Sequence, residues 1–109
     1  MKDLITEIQD LLMIMQDQLH SKFEHTIETT KYHMEEGRNY IKLIRSDDGR
    51  DSVCGFIVKN PPKYIDNKTN KPFEIGDMLM AAGWNKPATN FARGNIFNYD
   101  ESSIRWTGI

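Results

Sequence analysis

The segment Trp84-Asn85-Lys86-Pro87-Ala88-Thr89-Asn90-Phe91-Ala92-Arg93-Gly94-Asn95 gathers the residue types that recognise a small molecule with a ring and a negative charge. Trp84 and Phe91 offer flat faces on which a base stacks, a contact worth ~1–3 kcal/mol per base in nucleic-acid systems. Asn85, Asn90 and Asn95 each carry a donor and an acceptor, which suits the mixed edge of a purine or the hydroxyls of a ribose. Arg93 presents a planar fork that fits a phosphate through two parallel hydrogen bonds. Gly94 lets a ligand or another backbone come close, and Pro87 stiffens the segment so that less entropy is lost when it orders. Arg105 and Trp106, further on, add a second cation and a second ring, and Phe73, upstream, joins the candidate ligand-binding set. The same residues have a plainer use, with the rings pinning a long loop to a sheet and the asparagines capping backbone groups. The convergence of rings, amides and arginine favours a nucleotide-like pocket over scaffolding alone, and is silent about reaction.

Such a loop needs a scaffold, and the rest of the chain supplies the pattern of an α+β domain. The length of 109 residues fits one domain with a modest core. Leu4, Ile8, Leu11 and Met15 fall at the spacing of a coiled-coil seam, and Leu19, Phe23 and Ile27 continue it in steps of four. Asp3 is placed to cap the start and Gly37 to stop the chain, so residues 1–36 read as one long helix. At 1.5 Å per residue that helix would run ~50 Å, longer than the remaining chain if compact. Its apolar stripe is then expected to overhang and be covered by a second subunit; a break near His20-Ser21 is the alternative. Residues 38–109 read as an antiparallel sheet carrying the ligand-binding loop 83–97. Tyr40 to Arg45 alternates weakly, Asp47-Asp48-Gly49-Arg50 has hairpin chemistry, and Ser52 to Lys59 is the returning strand, ended by Pro61-Pro62. Asp66 to Pro72 is a polar turn, Phe73 to Ala82 reads as a strand whose Met and Ala residues would also tolerate a helix, and Ser103 to Thr107 reads as a last strand.

Charge and composition exclude several classes of function. Residues 1–36 hold three Lys against eight Asp or Glu, a balance of −5, and residues 37–109 hold eleven Lys or Arg against eight acids, a balance of +3. That excess is too small for a DNA or RNA platform and suits a small anion. The single cysteine, Cys54, rules out an internal disulfide and points to a reducing compartment; mid-strand, it reads as a buried structural thiol. His20, His25 and His33 form no metal-binding spacing, and no carboxylate pair, Walker loop or dinucleotide fingerprint is present, so no cofactor and no catalytic residue is expected. No apolar run approaches the ~20 residues of a membrane span and no leader opens the sequence. The sequon Asn67-Lys68-Thr69 is read as chance.

Residues 76–97, GDMLMAAGWNKPATNFARGNIF, carry a resemblance. They are similar to a stretch of small bacteriophage proteins of the form G-D-h-h-K-A-A-x-W-x-x-P-A-x-x-x-A-R-G-N-I, with Met80 where that form has lysine and Gly83 where it has serine. With the amphipathic helix in front, the chain resembles the first described type of Thoeris anti-defence protein, a phage sponge. The resemblance implies a long helix on an antiparallel sheet, assembly into dimers or higher oligomers, and sequestration without cleavage of glycocyclic ADP-ribose, the signal of a bacterial TIR enzyme, in the host bacterial cytoplasm. Some relatives are also held to bind cyclic oligonucleotides. With lysine missing, no cation is carried over at position 80. A cyclic ADP-ribose isomer has an adenine to stack, riboses to hydrogen-bond and a pyrophosphate to pair with arginine, so the residues and the resemblance agree on a non-catalytic binding protein. The expected lid is the overhanging helix of a second copy, with Phe23 and Ile27 as contacts. The alternatives are a small hydrolase of a nucleotide messenger and a phage protein that binds a host macromolecule through its acidic helix.

Overall fold

The computed structural model describes residues 3–22, 30–61, 63, 65–90 and 92–99. Helix α1 runs Leu4–Lys22. Asp3 caps it: its Oδ2 accepts the Thr6 N–H at 3.2 Å and the Thr6 hydroxyl at 3.1 Å, satisfying one of the orphan donors of the first turn. Ile8, Leu11, Leu12, Met15 and Leu19 form the buried stripe that the apolar spacing predicts.

The strands that follow are β1 (Thr30–Glu36), β2 (Tyr40–Asp47), β3 (Arg50–Val58), β4 (Ile65–Asp66), β5 (Lys71–Pro72), β6 (Met78–Leu79), β7 (Ala81–Gly83) and β8 (Lys86–Pro87). Four of them make the main antiparallel sheet in the order β1-β2-β3-β6. The hairpin between β2 and β3 turns on Asp48 and Gly49, both at positive φ (48° and 87°), the type I′ geometry whose twist matches the flanking strands. The β4–β5 and β7–β8 hairpins form two small sheets of their own.

The expected single helix over residues 1–36 is corrected. The described helix ends at Lys22, and Thr30–Glu36 is a strand paired along its whole length with β2, from Thr30 opposite Asp47 to Glu36 opposite Ile41. Thr30 and Tyr32 are buried and Met34 half-buried, alternating with exposed Lys31, His33 and Glu35, the period-two pattern of a strand with one face on the core. Gly37 therefore opens the β1–β2 turn instead of closing a helix, its N–H donating to the Tyr40 carbonyl at 2.9 Å. The expected overhang goes with it. The 19 residues of α1 span about 28 Å at 1.5 Å per residue. Its stripe packs in one core with Tyr32, Ile41, Leu43, Cys54, Ile57 and Met78 of the same chain's sheet.

The sheet is covered on its second face as well. Phe56, Val58, Phe73 and Leu79 make a smaller core there, with Tyr40, Val53, Ala81 and Ala92 at its margin. Burial on both sides explains why β2 alternates so weakly in sequence: Ile41, Lys42, Leu43 and Ile44 are all buried. The expected strand from Phe73 to Ala82 is also corrected. The chain turns at Gly76 (φ 91°), where a Cβ would lie 2.9 Å from Ile96 Cγ2 and from the Phe97 ring, and only Met78–Leu79 pairs with β3. The expected last strand, Ser103 to Thr107, lies outside the described residues.

Candidate functional site

The loop over residues 83–97 is more regular than its composition implies. It opens in the β7–β8 hairpin, whose turn is Trp84-Asn85, closed by the Ala88 N–H donating to the Met80 carbonyl at 2.7 Å. Residues 93–96 then run back beside residues 76–78, with Met78 N donating to Gly94 O, Arg93 N to Met78 O and Ile96 N to Gly76 O, all within 2.7–2.8 Å. Asp66 ties the middle of the segment down. Its Oδ1 accepts the N–H groups of Lys68 and Thr69 at 2.8 and 3.1 Å, and its Oδ2 accepts that of Ala92 at 2.8 Å. Burial alone would raise the Asp66 carboxyl, but the N–H groups of Ala92, Thr69 and Lys68 outweigh it and hold the group below the ordinary carboxylate range.

At the hairpin turn the structure brings two of the predicted residues onto one that the sequence reading missed, Lys42. This lysine sits mid-strand in β2, on the sheet face that carries Phe56, its direct cross-strand partner. Only 7% of the residue is exposed. Its Nζ donates to Asn85 Oδ1 at 2.5 Å and lies 4.3 Å from the centre of the Trp84 ring. Trp84 keeps 44% of its surface exposed, so the ring that backs the lysine still offers area to a ligand. Lys42 and Asn85 also line a cavity of about 260 Å³, whose other walls are Glu35, the turn residues Gly37 to Asn39, Tyr40 and Phe56. Tyr40 and Phe56 meet edge to face at a centroid distance of 6.2 Å and stiffen that wall. The signal for Lys42 was a charged residue inside a run, Tyr40 to Ile44, otherwise apolar.

The other predicted residues are placed elsewhere. Phe73, expected among the ligand contacts, is 2% exposed and belongs to the second core, where it packs with Phe56 and Leu79. Asn95 spends its amide on the fold, with Nδ2 donating to Ile75 O at 3.1 Å and Asp77 Oδ1 at 3.0 Å, and Oδ1 accepting the Phe97 N–H at 3.0 Å. Arg93 is exposed, and its Nη2 meets Met80 Sδ at 3.3 Å; it does not line the cavity beside Lys42. Asn90 is exposed, and its carbonyl accepts the Asn67 N–H at 2.7 Å. Phe23, Ile27, Phe91, Arg105 and Trp106 lie outside the described residues.

Two further clefts are found among the described residues. One, of about 500 Å³, lies between α1 and β1 and includes Met13, Tyr32 and Met34. The other, of about 320 Å³, lies where the β4–β5 hairpin meets residues 92–98 and includes Lys71, Glu74 and Asn98. Cys54 is a buried thiol pushed up to about 11, by burial above all, and so is a poor nucleophile at neutral pH. Among the described residues no three His, Cys, Asp or Glu side chains are grouped to hold a metal, and no helix is long and apolar enough to cross a membrane. Comparison of the chain with protein-family models, with curated proteins and with solved structures finds no match.

Proposed function

We propose that the protein is a non-catalytic binder of a cyclic ADP-ribose-type messenger, a phage sponge that removes the signal from a bacterial host's TIR-based immunity. One observation carries the reading: a buried lysine and an amide, Lys42 and Asn85, meet on a cavity wall, and the half-exposed Trp84 ring lies against the same ammonium. A ring stacks on Trp84, Asn85 exchanges hydrogen bonds with ring edge or ribose, and Lys42 neutralises a phosphate. Recognition of this kind needs no general base. Among the described residues, the groups whose titration is shifted are committed to structure instead: Asp66 to three backbone N–H groups, Asp47 to Thr30 and Arg45, Tyr32 and Cys54 to the core. The resemblance of residues 76–97 to the phage form supports the same class of ligand.

Self-association belongs to the proposal. Met13 is 63% exposed on the outside of α1, beside the cleft that α1 makes with β1, and offers apolar area to a second copy. The test of sequestration is chemical: cyclic ADP-ribose incubated with excess protein, then released by heat denaturation, returns intact. Recovery of a hydrolysed product would replace the binder with a hydrolase.

A further inference from the structure

Lys42 has an electrostatic problem that the described residues leave unsolved. A buried ammonium is expensive unless it is paired. Its cross-strand neighbour in β1 is Glu35, yet the ion pairs among the described residues are Arg45–Asp47 and Lys59–Glu36, and neither includes Lys42. Of the three N–H groups on Nζ, one is met by Asn85 Oδ1, and the Trp84 ring supplies only a weak partner. The ammonium faces a cavity, and a second cation stands on the same wall: Arg38, on the β1–β2 turn, exposed and in no ion pair among the described residues. The turn that carries Arg38 is pinned in place. Asn60 Nδ2 donates to the Arg38 carbonyl at 2.5 Å, and the Lys59 and Asn60 N–H groups donate to the Asn39 carbonyl at 2.8 and 3.0 Å.

We propose that the cavity between the β1–β2 turn and the β7–β8 hairpin is a phosphate seat, in which Lys42 takes the non-bridging oxygens from below and Arg38 closes on them from the rim. The ligand class is a phosphodiester or pyrophosphate group. Size limits what enters. At about 260 Å³ the cavity falls below the ~300–1,000 Å³ of a pocket that encloses a whole drug-sized ligand. The anionic linker therefore goes inside and a ring stays outside on Trp84, whose indole already backs the lysine. Glu35, also on the wall, sets a ceiling on affinity by repelling the anion and keeps a bare ligand exchangeable.

The nucleotide half of this inference rests on the proposed function; the anion half does not. The experiment separates them by titrating the full chain in a calorimeter with pyrophosphate, with orthophosphate and with cyclic ADP-ribose, for the wild type, Lys42→Met and Arg38→Ala. The seat predicts that pyrophosphate binds the wild type, competes with cyclic ADP-ribose, and is weakened at least tenfold by either substitution. Orthophosphate is expected to bind at the same place more weakly. Arg38 is exposed, so Arg38→Ala keeps the test valid if Lys42→Met does not fold. Pyrophosphate binding that is absent, or that ignores both substitutions, overturns the seat. Cyclic ADP-ribose bound equally by wild type and both variants overturns the seat and leaves the function standing. Lys42-dependent pyrophosphate binding without any nucleotide binding confirms the seat and removes the messenger.

Discussion

The Lys42 ammonium lies 4.3 Å from the centre of the Trp84 ring, so a strand of the main sheet and the tip of a separate hairpin meet at one charge. Forty-two positions part the two residues in sequence, and the contact exists because β6 carries the chain back to the edge of β3 before the β7–β8 hairpin folds over the second face. The juxtaposition gives the exposed tryptophan a role as reporter. Ligand binding is expected to change the tryptophan emission, and Trp84→Leu is expected to weaken cyclic ADP-ribose by roughly five- to 150-fold, the equivalent of the ~1–3 kcal/mol of a base–aromatic stack. The melting temperature of the unliganded variant separates lost stacking from lost packing: affinity falls while melting moves little.

Gly76 holds the turn that starts the site. It sits at φ 91°, its N–H donates to the Val58 carbonyl and its carbonyl accepts the Ile96 N–H, both at 2.8 Å. An added Cβ would press on Ile96 and Phe97. Gly76→Ala is expected to cost about 1–3 kcal/mol, from strained backbone and the contact together, measured by denaturant unfolding. An unchanged midpoint would mean that the turn relaxes freely.

Acid is expected to loosen the same segment. The Asp66 carboxyl is held below its ordinary 3.8, the backbone N–H groups outweighing burial. Asp47 is lowered in the same way, with burial opposed by the Thr30 hydroxyl and Arg45. A carboxyl whose folded value is depressed contributes stability that is present above 3.8 and lost as pH falls through the folded value. The contribution of these two groups to the melting temperature is therefore constant from neutral pH down to about pH 5 and falls below pH 4. Asp66→Asn is expected to lose about 1–3 kcal/mol of stability at neutral pH, to melt lower, and to show a shallower acid limb. Parallel limbs for variant and wild type would show that Asp66 is not the group being protonated.

Self-association is expected to depend on the outer side of α1. Sedimentation equilibrium should give a dimer or larger species for the wild type, and Met13→Glu should shift it toward the monomer without lowering the melting temperature. A monomeric wild type would remove the second copy from the account.

What could be read from the sequence was local. The Asp3 cap, the apolar seam of α1, the Asp48-Gly49 hairpin and the polar turn after Asp66 each depend on residues within a few positions of one another, and each is found where its pattern lies. The parts that were not legible depend on distant partners. Thr30–Glu36 is a strand because β2 lies beside it, and residues 93–96 run beside residues 76–78 because Gly76 turns the chain. Lys42 was hidden for the same reason. Its neighbours in sequence mark only a strand, and its role comes from Trp84 and Asn85, which arrive from a hairpin that composition alone made look irregular. Conversely, Phe73 and Asn95 have the chemistry of ligand residues and spend it on the core and on the turn at Asp77.

The most direct measurement is calorimetry of the wild-type chain against a panel of cyclic ADP-ribose isomers, cyclic dinucleotides and cyclic trinucleotides. The account predicts saturable binding of at least one cyclic ADP-ribose isomer, abolished or weakened at least tenfold by Lys42→Met. No heat and no thermal shift with any member of the panel would contradict it.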